Sequence, residues 1–191
     1  SSANFGRFML PELLPELNRV LYIDIDTVVQ GDLVALLAHM DLGDDDYLAA
    51  VPRPNVPLSH FFGADIVRLH AELHPDPGQL LQLAAPSFNA GVAVWNLRAW
   101  RQRSLRDEVL YYMTKHHEHA LWDYGTQPIL LLVCAGHWQP LDVRFNLDGL
   151  GYRTDVSTEA LDGAYVLHWS GRRKPWQHDA LYRQRWTRFV N

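Results

Sequence analysis

Val20-Leu21-Tyr22-Ile23-Asp24-Ile25-Asp26-Thr27-Val28-Val29 is an apolar run that ends in two carboxylates. The apolar residues from Arg19 to Ile25 predict a buried strand. In an extended chain, residues i and i+2 point to the same side, so Asp24 and Asp26 share a face if the strand continues. At the carboxyl end of a strand in an α/β sheet, that face opens on the crevice where ligands bind. Two carboxylates in one place repel unless a cation neutralises them. Mg²⁺ or Mn²⁺ suits oxygen ligands and also takes substrate phosphates.

Working outward, Phe8–Leu17 carries leucines at helical spacing, interrupted by Pro11 and Pro15. Thr27–Asp32 is expected to turn, with Asp32 capping a helix over Leu33–Met40. Tyr47–Val51 is expected as a strand, Pro52–Pro57 as a loop, and Ala64–Leu73 as a helix. Phe88–Leu97 is strand-like, with Gly91 permitting a close backbone approach. Leu97–His119 predicts one long helix. Pro128–Ala135 predicts a helix with proline in its first turn. Ala164–Trp169 is expected as a last strand, followed by a helix from about His178. Strands alternating with helices predict an α/β fold, with no internal repeat and no linker dividing the chain.

The 191 residues fit one domain with a sizeable core. A formal charge of −5 excludes a global basic field for nucleic acid. Asp41, Asp44, Asp45 and Asp46 read as a solvated acidic loop. The single cysteine, Cys134, excludes an internal disulfide and reads as a core residue. No apolar run reaches membrane-span length, and no secretory signal opens the chain. Lys115-His116-His117-Glu118-His119 reads as a solvated helix end, because consecutive histidines on a helix diverge. Trp95, Trp100 and Trp169 are expected in the core. Trp122, Trp138 and Trp176 are the tryptophans offered for a cleft.

Two chemistries fit the carboxylate pair. Asp24-Ile25-Asp26-Thr27-Val28 satisfies the Asp-x-Asp-x-(Thr/Val) pattern of haloacid-dehalogenase-like phosphatases, with Asp24 as nucleophile and Asp26 as acid/base. It equally suits a metal site for a nucleotide-activated substrate. A second segment bears on the choice: His168-Trp169-Ser170-Gly171-Arg172-Arg173-Lys174-Pro175-Trp176. It supplies an imidazole, a glycine that lets a backbone N–H approach a phosphate, and a lysine that adds a point charge.

That segment resembles the His-x-x-Gly-x-x-Lys-Pro-Trp signature of glycosyltransferase family 8. Arg7-Phe8-Met9-Leu10-Pro11-Glu12 and Asn18 to Leu33 are similar to the family's approach to its metal motif. Phe88-Asn89-Ala90-Gly91-Val92 with Asn96-Leu97 is similar to its central strand. Leu141-Asp142-x-Arg144-Phe145-Asn146 is similar to the element after its acceptor helix. Leu121-Trp122-x-x-Gly125-Thr126-Gln127-Pro128 and Leu150-Gly151-Tyr152 look most like the galacturonosyltransferase-like and domain-containing branches. Many members carry Asp-Gln-Asp where this chain has Thr126-Gln127-Pro128, so no role of those aspartates transfers.

The resemblance implies a GT-A fold, Rossmann-like with a mixed central sheet. It implies a retaining transferase of a hexose-type sugar from a UDP-sugar, with Mn²⁺ or Mg²⁺ as cofactor and a glycan or glycoconjugate hydroxyl as acceptor. Asp24, Asp26 and His168 would hold the metal, and Asp24 would lie near the ribose. Gly171 and Lys174 would hold the diphosphate. Asn89 and Gln127 would face the transferring sugar as the catalytic pair. No second carboxylate is evident on the sugar side, which favours front-face displacement over a covalent route. The family begins with a strand and helix that carry much of the uracil pocket. Residues 1–191 are therefore expected to be one GT-A domain lacking its N-terminal nucleotide-binding strands. A catalytically silent sugar-nucleotide-binding protein and the phosphatase are the alternatives. Compartment follows the host: cytoplasm if bacterial, Golgi lumen if eukaryotic.

Overall fold

The computed structural model describes residues 2–123 and 125–190. Residues 1, 124 and 191, which the expected domain span includes, lie outside the described residues. A 3₁₀ segment (Ser2–Met9) leads into α1 (Leu10–Leu13), β1 (Arg19–Ile23), β2 (Thr27–Val29), α2 (Leu33–His39) and β3 (Leu48–Pro57). There follow α3 (Asp65–Leu73), β4 (Pro86–Asn96), α4 (Leu97–Gln102), α5 (Leu105–His119) and α6 (Gln127–Val133). The chain ends with β5 (Trp138–Pro140), α7 (Thr158–Gly163), β6 (Val166–His168) and α8 (Arg183–Thr187). The α/β expectation holds.

A mixed four-stranded sheet has the order β1-β4-β3-β5, antiparallel except for the parallel β3–β5 pair. Its central strand, β4, is buried from Ser87 to Asn96, which is why it reads as a continuous apolar run rather than an alternating one. Trp95, Trp100, Tyr112 and the leucines of α6 fill the main core on one face. Leu42, Ala49, Val51, Val94 and Leu141 pack on the other. Trp95, Trp100, Trp169 and Cys134 are core residues, as expected.

β4 is irregular where the function will need it. Ala50 and Val51 are adjacent in β3, but their partners in β4 are Ala93 and Asn89. The three residues between those partners bulge out of the β3 ladder, and a bulge re-aims the side chains around it. Asn89 and Gly91 thereby come under the β1–β2 turn.

Several local expectations are corrected. Thr27–Val29 is not a turn but a strand, paired antiparallel with β6; its β-branched residues suit that role once the partner is in place. Pro52–Pro57 is not a loop but the outer half of β3. β5 covers β3 only at Leu48–Ala50, so the prolines stand where no neighbour needs their missing N–H. The long helix from Leu97 breaks at Ser104, whose φ of 52° is left-handed. The C-terminal helix is shorter, starting at Arg183, and of the helix expected over Phe8–Leu17 only the single turn Leu10–Leu13 is α, entered from a 3₁₀ segment and left by a turn. Trp122 is buried against Phe62 and His116 and, with Phe5 and Met113, lines a cavity of about 210 Å³. The caps hold as read: Asp32 Oδ1 accepts from Val34 N at 2.9 Å, and Pro128 sits in the first turn of α6. Among the described residues, no helix is long and apolar enough to cross a membrane.

Candidate metal and donor site

β1 ends at Ile23, so Asp24 and Asp26 do not share a face by strand continuation as expected. They converge because the chain turns. Asp24 N donates to Gly91 O at 2.6 Å, and Thr27 Oγ1 donates to Asp24 O at 2.8 Å. Between the carboxylates, Ile25 is turned outward at 90% exposure. The β2–β6 register then sets Thr27 opposite His168, and Trp169 N donates to Asp26 O at 2.9 Å. Ligand atoms of Asp24, Asp26 and His168 lie within 4.8 Å of one another.

The oxygens are divided. Asp24 Oδ1 accepts from Tyr22 Oη at 2.8 Å and from Arg7 Nη2 at 3.1 Å. Asp26 Oδ2 accepts from Lys174 Nζ at 2.5 Å. The other two oxygens, Asp24 Oδ2 and Asp26 Oδ1, are 3.9 and 3.4 Å from His168 Nε2. Burial pushes the Asp26 carboxyl up, but His168 and then Lys174 outweigh it and hold it at about 2. Burial, opposed by Arg7 and helped by Asp24, pushes the Tyr22 hydroxyl up to about 12, so it remains a donor. The Arg7 guanidinium also lies 4.4 Å from the centroid of the Tyr22 ring.

Small residues are required here. A Cβ on Gly91 would come 2.2 Å from His168 Cε1 and 2.7 Å from Asp24 Oδ2. Gly171 has φ +107°, where L side chains are strained, and a Cβ there would come 2.7 Å from Tyr152 Cδ1. Lys174 follows on the same loop, its Nζ also donating to Trp169 O at 3.2 Å.

The residues read as a catalytic pair sit on β4 and beside it. Gln127 Nε2 donates to Phe88 O at 2.7 Å, and Gln127 Oε1 accepts from Ala90 N at 3.1 Å. Its amide is spent on the β4 backbone either side of Asn89. Asn89 Nδ2 donates to Asp148 Oδ2 at 2.9 Å, and Arg53 Nε donates to the same oxygen at 2.6 Å. Arg53, Asn146, Asp148, Tyr152 and Arg153 line part of a cavity of about 520 Å³ beside the triad. The sequence reading did not assign roles to Arg7, Tyr22, Asn146 or Asp148. Arg7 and Asn146 stand inside quoted motifs, but nothing in the linear pattern says that both are buried. Lys115–His119 ends α5 away from this group.

A family model described as glycosyl transferase family 8 matches residues 1–180. The chain is 30% identical over 193 residues to "Probable galacturonosyltransferase 9" of Arabidopsis thaliana, covering all of this chain and 33% of that protein. It is 29% identical to "Glycosyltransferase 8 domain-containing protein 2" of Bos taurus, covering 96% of this chain and 56% of that one. The chain thus spans about a third of the length of the plant relatives it matches. Among solved structures it is similar to the galactosyltransferase LgtC in complex with donor and acceptor sugar analogs. That match has a TM-score of 0.69 and 25% identity, over 98% of this chain and 66% of the other. It is also similar to the glycosyltransferase GlyE of Streptococcus pneumoniae, at TM-score 0.67 and 26% identity, over 96% and 42%. These neighbours share the GT-A fold, and the phosphatase alternative gains nothing from any of them. From the metal-motif turn to the His168–Trp176 loop, this chain belongs to glycosyl transferase family 8.

Proposed function

We propose that this chain is a metal-dependent glycosyltransferase that moves a hexose-type sugar from a UDP-sugar to a hydroxyl of a glycan or glycoconjugate, with retention at the anomeric carbon. The observation that carries the reading is the division of oxygens. Arg7, Tyr22 and Lys174 engage one oxygen of each aspartate, and the remaining two face His168 Nε2. Two hard oxygens and one imidazole nitrogen are a donor set that suits Mn²⁺ or Mg²⁺. Gly91 leaves the space beside them open.

The residues divide the work. Asp24, Asp26 and His168 would hold the cation, which when bound supplies positive charge to a departing diphosphate. Lys174, on the Gly171 loop, adds a second cation at the same side and stabilises charge that grows as the sugar leaves. The loop glycine lets a backbone N–H approach a phosphate oxygen. Asn89 and Gln127 stand at β4, on the side where the sugar ring would lie, and the 520 Å³ cavity is large enough for a carbohydrate acceptor. Of the carboxylates that line this cavity, Asp148 is engaged by Arg53 and Asn89 and Asp155 by Arg153, which favours the front-face route. Trapping a covalent glycosyl-enzyme adduct would overturn that part.

One observation favours a second reading, binding without turnover: the Gln127 amide is tied to Phe88 and Ala90 rather than free. Incubation with Mn²⁺ and UDP-linked Gal, Glc, GalA, GlcA and Xyl separates the two. UDP release that is lost in Asp26→Asn supports transfer. Saturable UDP-sugar binding with no release supports the silent form.

A further inference from the structure

His168 belongs to a chain of buried amides whose polarity can be traced from end to end. Gly91 N, a backbone donor, gives its hydrogen to Asn89 Oδ1 at 2.8 Å. Asp148 Oδ2, an acceptor, takes a hydrogen from Asn89 Nδ2 at 2.9 Å. These two contacts fix which end of the Asn89 amide is oxygen. Asn146 must then present Nδ2 to Asn89 Oδ1, at 3.0 Å, and to Asn89 O, at 3.4 Å. That leaves Asn146 Oδ1 facing His168 Nδ1 at 2.9 Å. An amide oxygen only accepts, so Nδ1 carries a hydrogen, and Nε2 is the nitrogen turned toward Asp24 and Asp26.

We propose that Asn146, Asn89 and Asp148 form a positioning relay that holds the His168 ring with Nδ1–H on Asn146 and Nε2 toward the two carboxylates, with Arg53 anchoring the charged end. Asn89 is thereby a positioning residue, its Oδ1 and one Nδ2 hydrogen taken by the relay. Asn146 and His168 are 1% and 2% exposed, so water does not compete for their contacts. The bulge in β4 makes the relay possible, because it brings Asn89 and Gly91 under the imidazole. The relay ends in the wall of the 520 Å³ cavity, which Arg53, Asn146 and Asp148 all line. Partners of this kind fix the ring and the tautomer of a ligating histidine, and their loss costs tenfold to a hundredfold in metal affinity.

The affinity part rests on the metal reading above; the ring-orientation part does not. Two measurements on the 191-residue chain separate them. The first is ¹⁵N NMR of the metal-free protein with labelled histidine, at fixed mildly alkaline pH. It should show a hydrogen-bonded proton on His168 Nδ1 in the wild type, weakened or lost in Asn146→Ala. A wild-type Nδ1 without a proton, or an unchanged Nδ1 signal in Asn146→Ala, would overturn the relay even if the metal binds. The second is Mn²⁺ titration by electron paramagnetic resonance. Affinity should fall about tenfold or more in Asn146→Ala and less in Asp148→Ala, and return in Asp148→Asn, whose amide oxygen can still accept from Asn89. Equal loss in Asp148→Asn and Asp148→Ala, in step with loss of thermal stability, would reduce Asp148 to a structural residue and overturn its place in the relay.

Discussion

His168 and His70 are both buried, at 2% and 3% exposure, yet their surroundings are built oppositely. Around His168 every donor meets an acceptor, and two carboxylates with a lysine close the group. Around His70 the neighbours are Tyr112 Oη at 2.7 Å and the stacked ring of His74 at 4.4 Å. Beyond it, His74 Nε2 and Glu108 Oε2 meet at 3.3 Å. Burial, with His74 second, pulls His70 down to about 4, and burial pushes Glu108 up. One histidine is held in place among charges; the other is kept neutral among aromatic and apolar groups. Burial alone therefore marks neither as functional. What separates them is the pair of carboxylates beside His168, engaged by Arg7 and Lys174.

The largest effect belongs to the charged group. Asp26→Asn should lower UDP release about a thousandfold while leaving the fold intact, because it removes a carboxylate that would hold the cation at the diphosphate. Release within a few-fold of wild type would move the chemistry elsewhere.

Next is the neutral group, read through stability against pH. Below about pH 6.5 the unfolded chain protonates this histidine, whereas folded His70 resists until about 4. Stability should thus fall as pH drops from 6.5 to 4, by up to about 3 kcal/mol, and level off below. The raised Glu108 carboxyl works in the opposite sense, so the comparison is with His70→Gln, whose urea midpoint should vary less over that window. Parallel pH curves for the two proteins would contradict the assignment.

Gly91→Ala should cost about 1–3 kcal/mol, because its Cβ would strike His168, Asp24 and Asn89 together. It should weaken Mn²⁺ binding as well; unchanged affinity would mean that the triad yields freely. The smallest effect is expected at the end of α5. His117→Ala with His119→Ala should leave metal affinity unchanged and stability within about 0.5 kcal/mol.

Much of this was legible before any coordinates. Asp24, Asp26, His168, Gly171 and Lys174 stand in two short segments whose residue types state their chemistry. Although Lys174 and Asp26 are 148 residues apart, their meeting follows from those types. The strand character of Thr27–Val29 was not legible, because its partner is β6, far along the chain. Nor was β3 beyond Pro52, since proline argues against a strand until one knows that the edge is free. The relay was least legible. Asn89 reads as a polar residue on a central strand, and only the bulge and Asp148 reveal that its amide is committed.

If Asp24, Asp26 and His168 hold a cation that UDP needs, calorimetric titration of UDP into the chain, with and without Mn²⁺, will show it. UDP binding should require Mn²⁺ in the wild type and vanish in Asp26→Asn. UDP binding of equal strength without the metal, or undiminished in Asp26→Asn, would contradict it.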